Sequence, residues 1–317
     1  MNPLAARTLE PVAAGHHAGL DGAIGNTPLV PLRRLAPSSG ATIMVKLEGL
    51  NPGGSVKARA AQAIVRGAER DGLLRPGRTL LDASSGNTGI AYAMLCAQRG
   101  YGCEICLPAN ASEERKQLLR AYGATLVITP AQEGADGAIR EARRRAATDP
   151  VTYFYADQYN NPANVEAHYE GTGVEIWRQT RRRITHFVAG LGTSGTFIGA
   201  GRRLRRLRPA IRLVAVQPAS AFHGLEGMKH MTSAIVPGIY DASLADETLF
   251  VETEEAQDMA RRLAREEGLL AGASGGANVV AALRIAAATS NDAVIVTLLP
   301  DGGERYLTEG WMALGRV

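Results

Sequence analysis

The stretch TLLDASSGNTGIAYAMLCAQRGYGCEICLP (residues 79–108) decides the fold, because it joins an apolar strand, a turn of small polar residues, a helix and a second apolar strand. Strands with such continuous apolar runs are typical of parallel sheets that are covered on both faces. The polar turn falls where the first strand ends, and ligands bind at that end of parallel strands. We therefore expect an α/β protein whose functional site lies at strand-to-helix turns.

The same alternation of strand and helix repeats along the chain. Strand-like runs lie at residues 42–48, 79–84, 103–108, 124–130, 185–190, 212–218 and 293–300. Helical patterns lie at residues 57–74, 88–100, 111–122, 131–148, 160–181, 195–208, 254–268 and 275–288. This repetition predicts mostly parallel, twisted sheets covered by helices. A weak strand signal after residue 155 indicates a lobe boundary there.

Composition narrows the class of function. The chain has 317 residues, and its net charge of +4 reflects 35 basic residues against 31 acidic ones. This balance favours small anionic ligands, although the arginine clusters at 181–183 and 202–208 leave nucleic-acid binding as an alternative. Neither a signal peptide nor a membrane span is expected. Cys96, Cys103 and Cys106 are predicted to be buried and reduced, which indicates a cytoplasmic protein.

Lys57 is the candidate reactive amine. It ends the turn Asn51-Pro-Gly-Gly-Ser-Val-Lys57 between a strand and a helix, and it is one of four lysines in the chain. Ser55 is expected to cap the helix, which puts Lys57 in the first helical turn. The helix dipole there would lower the pKa of the lysine and favour the neutral amine that a Schiff base requires. For this turn alone, a solvated surface lysine is the alternative.

Two further turns have the composition of anion-binding sites. Residues 84–89 (SSGNTG) and 190–196 (GLGTSGT) place hydroxyls and free backbone N–H groups at a helix start. Together they suit a substrate carboxylate and a cofactor phosphate, whereas either alone could be a simple strand-to-helix connection.

The turn at residues 190–196 also matches the dinucleotide-binding pattern G-x-G-x-x-G. That pattern needs an acidic residue about twenty positions later, where Gln217 and Pro218 stand, so NAD is not expected.

A fourth turn, GASGGA at residues 272–277, precedes another helix. The hydroxyl of Ser274 could meet a ring nitrogen of a cofactor, or it could cap the helix. His168, His186, His223 and His230 share no ligand spacing, so no metal site is expected.

The order and spacing of these turns resemble the cysteine synthase family, the β-replacing enzymes of the tryptophan-synthase fold that use pyridoxal phosphate. The resemblance runs from Gly25-Asn-Thr-Pro-Leu29 to Gly303-Glu-Arg-Tyr-Leu307 and includes residues 157–164 (DQYNNPAN). It implies a fold type II enzyme with its active site in the cleft between two lobes. Residues 48–155 would form a smaller, mobile lobe, and residues 1–47 with 156–317 would form a larger lobe that carries the cofactor phosphate site.

The resemblance also implies a role for each matching residue. Lys57 would carry pyridoxal phosphate as a Schiff base and move the α-proton of the substrate. The cofactor would further be bound by Asn87 at its ring hydroxyl, by Gly192, Thr193, Ser194, Gly195 and Thr196 at its phosphate, and by Ser274 at its ring nitrogen. The substrate would be bound by Ser84, Ser85, Gly86, Thr88 and Gln158, chiefly through its carboxylate. A neutral hydroxyl at Ser274 would give a shallow electron sink, which suits elimination to an aminoacrylate followed by addition of a sulfur nucleophile.

The implied product is cysteine, made from O-acetylserine or O-phosphoserine and a sulfur donor, either sulfide or a thiocarboxylated sulfur-carrier protein. Residues 224–231 (GLEGMKHM) depart from the pattern of acetylserine-using relatives. Lys229 lies near a basic residue of phosphoserine-using relatives, so it is a candidate ligand for a phosphate leaving group, with a solvent-facing lysine as the alternative. A homodimer is expected from the family.

The sequence is also compatible with other functions. On the same fold, the chain could be a cystathionine β-synthase or a serine or threonine dehydratase. Outside that class, it could be a noncatalytic amino-acid sensor or a nucleic-acid-binding protein.

Overall fold

The computed structural model describes residues 19–36, 40–84, 86–289 and 292–312. Its strands are β1 (Leu29–Pro31), β2 (Thr42–Leu47), β3 (Thr79–Ala83), β4 (Gly102–Pro108), β5 (Thr125–Thr129), β6 (Tyr153–Tyr155), β7 (His186–Gly190), β8 (Arg212–Pro218), β9 (Glu247–Val251) and β10 (Val294–Leu299). Its α-helices are α1 (Gly19–Gly22), α2 (Lys57–Arg70), α3 (Asn87–Arg99), α4 (Glu113–Ala121), α5 (Gly134–Thr148), α6 (Pro162–Ala167), α7 (Gly173–Gln179), α8 (Gly195–Leu207), α9 (Thr253–Arg262) and α10 (Ala273–Ala287).

The described strands form two sheets. The large sheet has the order β1-β2-β10-β7-β8-β9, in which only the β1–β2 pair is antiparallel. The small sheet has the order β5-β4-β3-β6 and is entirely parallel. In the large sheet Gly190 lies opposite Val216, and Leu299 lies opposite Leu47. These registers align the carboxyl ends of the central strands, so the turns that follow them meet at one edge. The predicted α/β class is confirmed, while the lobe boundaries and the mobility of the smaller lobe stay predictions.

Every strand predicted from the sequence is present, but three short edge strands were not predicted. β1 and β6 have three residues each, and β1 ends in a proline, so neither shows a clear period of two. β9 is half-buried along most of its length, which weakens its apolar pattern. All three lie at a sheet edge, where a strand needs less apolar surface than at the centre.

Two predicted helices are interrupted. The helix expected at 160–181 is divided into α6 and α7 by a π-helical turn, His168–Thr172. The helix expected at 254–268 ends as α9 at Arg262 and continues as a π-helical turn, Leu263–Glu267. A π-turn inserts one residue into the helical repeat but changes the spacing of apolar residues in the sequence only slightly. The sequence pattern therefore predicts a continuous helix.

Each sheet is covered by helices that bury a separate core. β3 and β4 pack against α3 through the side chains of Leu80, Ile105 and Leu95, which are essentially inaccessible to solvent. The three cysteines are buried and free, as predicted. Among the described residues, no helix combines the length and apolar character that a membrane span requires.

Buried ion pairs anchor the start of α2. Arg59, two residues after Lys57, contacts Glu48 at 2.7 Å and Glu175 at 2.6 Å. Lys46 on β2 contacts the other oxygen of Glu175 at 2.7 Å. Two cations and two carboxylates therefore compensate one another in a buried cluster, and removal of any one would leave an uncompensated charge. This cluster ties the first turn of α2, and with it Lys57, to β2 and α7.

Candidate active site

The predicted turns meet at two adjoining cavities. The first contains Ser194, Ser274, Asn278 and Asp301 among its lining residues, and we call it the Ser274 compartment. The lining residues of the second include Ser84, Thr88, Arg115, Gln158, Glu226 and Lys229, and we call it the Gln158 compartment. Lys57, Asn87 and Gly192 line both. The lysine therefore stands where the two compartments join.

Lys57 is the first residue of α2 and is partly buried. Burial lowers the pKa of its amine, and the charge of Asp301 opposes that shift. The shift has the direction expected from the sequence, but its main cause is burial and not the helix dipole. The N-cap position belongs to Val56, not to Ser55, whose hydroxyl instead accepts a 3.3 Å hydrogen bond from the backbone N–H of Lys57. A lysine with a lowered pKa has a larger neutral, nucleophilic fraction.

Asp301 is a residue of this cavity that the sequence analysis missed. It follows β10, and its Oδ2 accepts hydrogen bonds from Asn87 Nδ2 at 2.7 Å and Tyr306 Oη at 2.6 Å. Arg305 donates to the carbonyl-type oxygen of the Asn87 amide. Burial raises the pKa of Asp301, while these hydrogen bonds oppose the shift. The carboxyl group thereby fixes the amide of Asn87, the residue predicted at the cofactor ring hydroxyl.

The turn between β7 and α8 forms a narrow cup. Ser194 adopts a left-handed conformation with φ of 68°, which directs the turn into the first residue of α8, Gly195. A Cβ atom added at Gly192 would lie 2.0 Å from the carbonyl oxygen of Gly227. Only glycine fits at that position without displacing backbone. Backbone N–H groups at the start of α8 make this cup a suitable anion site.

Buried side chains hold the hydroxyls of this cup. Thr193 Oγ1 accepts a 3.1 Å hydrogen bond from Asn164 Nδ2, which also donates to the carbonyl of Gln158 at 2.8 Å. Thr196 Oγ1 lies 3.2 Å from Nε2 of His168, in the π-helical turn. Burial holds the pKa of His168 well below its ordinary value, so the ring is neutral at neutral pH. The hydroxyls of the cup therefore contact two neutral side chains, Asn164 and His168.

Three polar atoms in the Ser274 compartment lack partners among the described residues. They are Ser194 Oγ, Asn278 Oδ1 and Asp301 Oδ1, and all belong to residues that line the cavity. Buried polar atoms normally have hydrogen-bond partners, so three unpaired atoms on residues that line one cavity favour a site for a polar group. An aromatic phosphate ester with ring heteroatoms fits this arrangement, because the anion cup, the serine and the lysine line the same space. The residues present thus fit pyridoxal phosphate.

The turn between β3 and α3 is organised by Ser84. Its Oγ accepts hydrogen bonds from the backbone N–H groups of Gly86 at 3.2 Å and Gly89 at 2.9 Å. The hydroxyl predicted to bind substrate therefore also stabilises the start of α3. Ser85, predicted at the same site, lies outside the described residues. Ser84, Gly86 and Thr88 all line the Gln158 compartment.

Gln158 is buried, and both ends of its amide are hydrogen bonded. Its Oε1 accepts from Thr88 Oγ1 at 2.7 Å, and its Nε2 donates to the carbonyl of Ala83 at 2.7 Å. Two predicted substrate ligands are therefore in contact. The amide nitrogen of Gln158 carries two N–H groups, so the one that does not donate to Ala83 can donate to a ligand carboxylate.

A buried carboxyl group, also missed from the sequence, lies beneath this turn. Asp82 on β3 accepts hydrogen bonds from the backbone N–H of Ala83 at 2.8 Å and of Gln158 at 3.2 Å. Burial raises its pKa to about 7, and the neighbouring charge of Asp157 adds to the increase, while the two N–H groups oppose it. Asp82 therefore holds the backbone of Gln158 against the end of β3.

Lys229 lines the Gln158 compartment, so the solvent-facing alternative is wrong. Its Nζ contacts Asp136 Oδ1 at 3.2 Å and lies 5.1 Å from the ring centroid of Tyr159. Arg115, which the sequence analysis did not single out, pairs with Glu226 across the same cavity.

Within the described part of the chain, no cluster of three or more histidine, cysteine or acidic side chains could hold a metal ion.

Comparisons with known proteins agree with this geometry. The family model described as "Pyridoxal-phosphate dependent enzyme" matches residues 20–301. A cysteine synthase of Aquifex aeolicus is 50% identical over 291 residues, which cover 90% of this chain and 89% of the relative. The crystal structure of a cysteine synthase from Entamoeba histolytica superposes with a TM-score of 0.89 at 34% identity, covering 98% of this chain and 95% of that one. An O-ureido-L-serine synthase structure gives 0.88 at 41% identity, with 93% and 94% covered.

Proposed function

The chain belongs to the family of pyridoxal-phosphate-dependent enzymes, and from this premise we propose that it forms cysteine by β-replacement with Lys57 as the residue that holds the cofactor. One observation carries this assignment. Lys57, the anion cup and the three residues that carry unpartnered polar atoms all line the same compartment. The 50% identity to a cysteine synthase supports cysteine as the product.

The residues of the Ser274 compartment would bind and orient the cofactor. The turn from Gly192 to Thr196 would hold its phosphate, Asn87 would meet its ring hydroxyl, and Ser274 its ring nitrogen. Asn278 and Asp301 offer further polar atoms to the same group. When bound, pyridoxal phosphate supplies an electron-accepting ring that acidifies the α-carbon of an amino acid joined to it.

The protein's own groups supply binding and proton transfer. Thr88 and Gln158, with the backbone N–H groups of the turn that contains Ser84, would bind the substrate carboxylate and fix the α-carbon near Lys57. Because burial lowers the pKa of Lys57, its Nζ can accept the α-proton and return it. Asn87, held by Asp301, would keep the ring from rotating.

Several finer features belong to the same proposal. The substrate is a serine whose hydroxyl carries a good leaving group, O-acetylserine or O-phosphoserine, and the sulfur donor is sulfide or a thiocarboxylated sulfur-carrier protein. Three buried, free cysteines are compatible with a cytoplasmic enzyme. Homodimerisation is expected for an enzyme of this family.

The test is an assay of the purified holoenzyme with each serine ester and sulfide. We expect cysteine to accumulate with one ester and the pyridoxal phosphate absorbance to change when the ester is added alone. Homocysteine in place of sulfide tests cystathionine formation, and pyruvate formation without any thiol tests dehydratase activity. Loss of the proposed function would be shown by an absence of cysteine with both esters in a protein that binds pyridoxal phosphate.

A further inference from the structure

Two ion pairs connect the segment of residues 224–235 to the helices of the small sheet. Arg115 on α4 pairs with Glu226 of the segment. Lys229 of the segment pairs with Asp136 on α5, whose second oxygen accepts a 3.1 Å hydrogen bond from the backbone N–H of Ile235. Each side of the cleft therefore contributes one cation and one carboxylate.

Both cations have the same kind of surroundings. The guanidinium carbon of Arg115 lies 5.3 Å from the ring centroid of Tyr306, and Lys229 Nζ lies 5.1 Å from that of Tyr159. The side chains of Arg115 and Lys229 are only 4% and 9% exposed. Each cation is thus held between an aromatic ring and a carboxylate, with little access to water.

Arg115, Glu226 and Lys229 line the Gln158 compartment, and Asp136 contacts Lys229 from behind the lining. Besides Lys57, the basic residues among its described lining residues are Arg115 and Lys229. A substrate whose amino group is at Lys57 and whose carboxylate is at Thr88 and Gln158 has these remaining walls for its β-substituent. A leaving group would therefore meet two cations that already have carboxylate partners.

The two ion pairs determine the net charge of the walls around the β-substituent of the substrate. Burial disfavours the charge on Arg115, but the hydrogen bond and charge of Glu226 outweigh burial and raise the pKa of Arg115. Two cations and two carboxylates sum to no net charge. A phosphate dianion must compete with Glu226 and Asp136 for the same two cations and is repelled by the charges of these carboxylates, whereas a neutral acetyl ester is not.

We propose that Glu226 and Asp136 determine leaving-group specificity by neutralising Arg115 and Lys229, so that the enzyme prefers a neutral acyl ester of serine to the phosphate ester. This inference rests on the proposed function, because it concerns the substrate of that same site. Lys229 then contributes to a phosphate site only when its carboxylate partner is removed.

The test uses the holoenzyme and the variants Glu226→Gln and Asp136→Asn, singly and together, which keep hydrogen bonding and remove the charge. We expect the ratio of kcat/KM for O-phosphoserine to kcat/KM for O-acetylserine to rise about tenfold in each single variant and more in the double variant. The dissociation constant of inorganic phosphate, measured by calorimetry without amino acid, should fall by about tenfold in parallel. Glu226→Asp keeps the charge and should keep the wild-type ratio.

Matched controls come from the same helices. Glu113→Gln on α4 and Glu133→Gln just before α5 remove exposed carboxylates that pair with Arg120 and Arg140, away from the cavity. Both should leave the ester ratio and the phosphate affinity at the wild-type values. A wild-type enzyme that already prefers O-phosphoserine, or charge-removing variants with unchanged ratio and phosphate affinity, would overturn the inference. If neither ester reacts in the wild type, the proposed function fails, and phosphate affinity alone still decides the role of the two carboxylates.

Discussion

The two compartments that share Lys57 differ in how their polar groups are satisfied. In the Ser274 compartment, the lining residues Ser194, Asn278 and Asp301 each have a buried oxygen without a partner among the described residues. In the Gln158 compartment, both ends of the Gln158 amide are bonded to protein, and Arg115 and Lys229 pair with carboxylates, which leaves Arg115 Nε without a partner among the described residues. Unpaired buried atoms obtain partners when a resident group binds, whereas internally paired groups already have partners before a ligand arrives. The first arrangement suits a permanently bound cofactor and the second a substrate that binds and leaves.

The largest expected effect comes from the residue that both compartments share. Lys57→Ala removes the amine that would hold the cofactor and move the α-proton, so we expect cysteine formation to fall by at least about a thousandfold. Steady-state kinetics at saturating pyridoxal phosphate measure the loss. Lys116→Ala, on α4 and outside both sets of lining residues, is the matched control and should retain activity.

A change confined to the Ser274 compartment should act on cofactor affinity. In Gly192→Ala the new Cβ would meet the carbonyl oxygen of Gly227 at 2.0 Å, and the required backbone shift should weaken pyridoxal phosphate binding by about a hundredfold. Absorbance titration of the apoenzyme measures this affinity. Gly67→Ala on α2, where no neighbouring atom is closer than 4.0 Å, should bind the cofactor as the wild type does. Equal affinities for Gly192→Ala and Gly67→Ala would argue against a phosphate cup at this turn.

A change confined to the Gln158 compartment should act on the substrate instead. Gln158→Ala removes a donor for the substrate carboxylate, and we expect kcat/KM for the serine ester to fall about thirtyfold. Because Gln158 does not line the Ser274 compartment, the affinity for pyridoxal phosphate should change much less. Gln98→Ala, an exposed position on α3, serves as control. A cofactor affinity that fell as strongly as kcat/KM would remove the distinction between the compartments.

Much of the Ser274 compartment could be predicted because its chemistry lies in turns with recognisable composition. The lysine turn, the cup at 190–196 and Ser274 each follow or precede a regular element, and their order is visible along the chain. Asp301 could have been found by the same logic, since it lies two residues after the buried strand β10. Asn278 lies one helical turn after Ser274 on α10, so the i, i+4 spacing also pointed to it.

The Gln158 compartment was less predictable because its groups act in pairs from distant parts of the chain. The spacing of charged residues did not indicate that Arg115 would meet Glu226, or that Asp136 would meet Lys229, because the sheets bring these helices and segments together. Asp82 was hidden within an apolar strand, where one carboxyl group has no local signature. The edge strands and π-helical turns were missed for a similar reason, since tertiary packing rather than local pattern produces them.

An effect on stability rather than on activity is expected from the carboxyl group beneath the Gln158 compartment. The pKa of Asp82 is about 7 in the folded protein against an ordinary 3.8, so between these values the folded state binds more protons than the unfolded state. The free energy of unfolding should therefore fall as pH rises through this range, by about 2 kcal/mol between pH 5 and pH 7. Urea denaturation of the wild type and Asp82→Asn at both pH values isolates this contribution as their difference. A difference that does not change with pH would contradict the buried, raised pKa.

The most direct test of the account is the identity of the lysine that holds the cofactor. The protein should be yellow with pyridoxal phosphate, lose that absorbance on borohydride reduction, and yield one modified peptide after proteolysis. With only four lysines in the chain, mass spectrometry distinguishes them without ambiguity. We predict that the reduced adduct lies on Lys57. An adduct on Lys46, Lys116 or Lys229, or no adduct at saturating pyridoxal phosphate, would contradict the account.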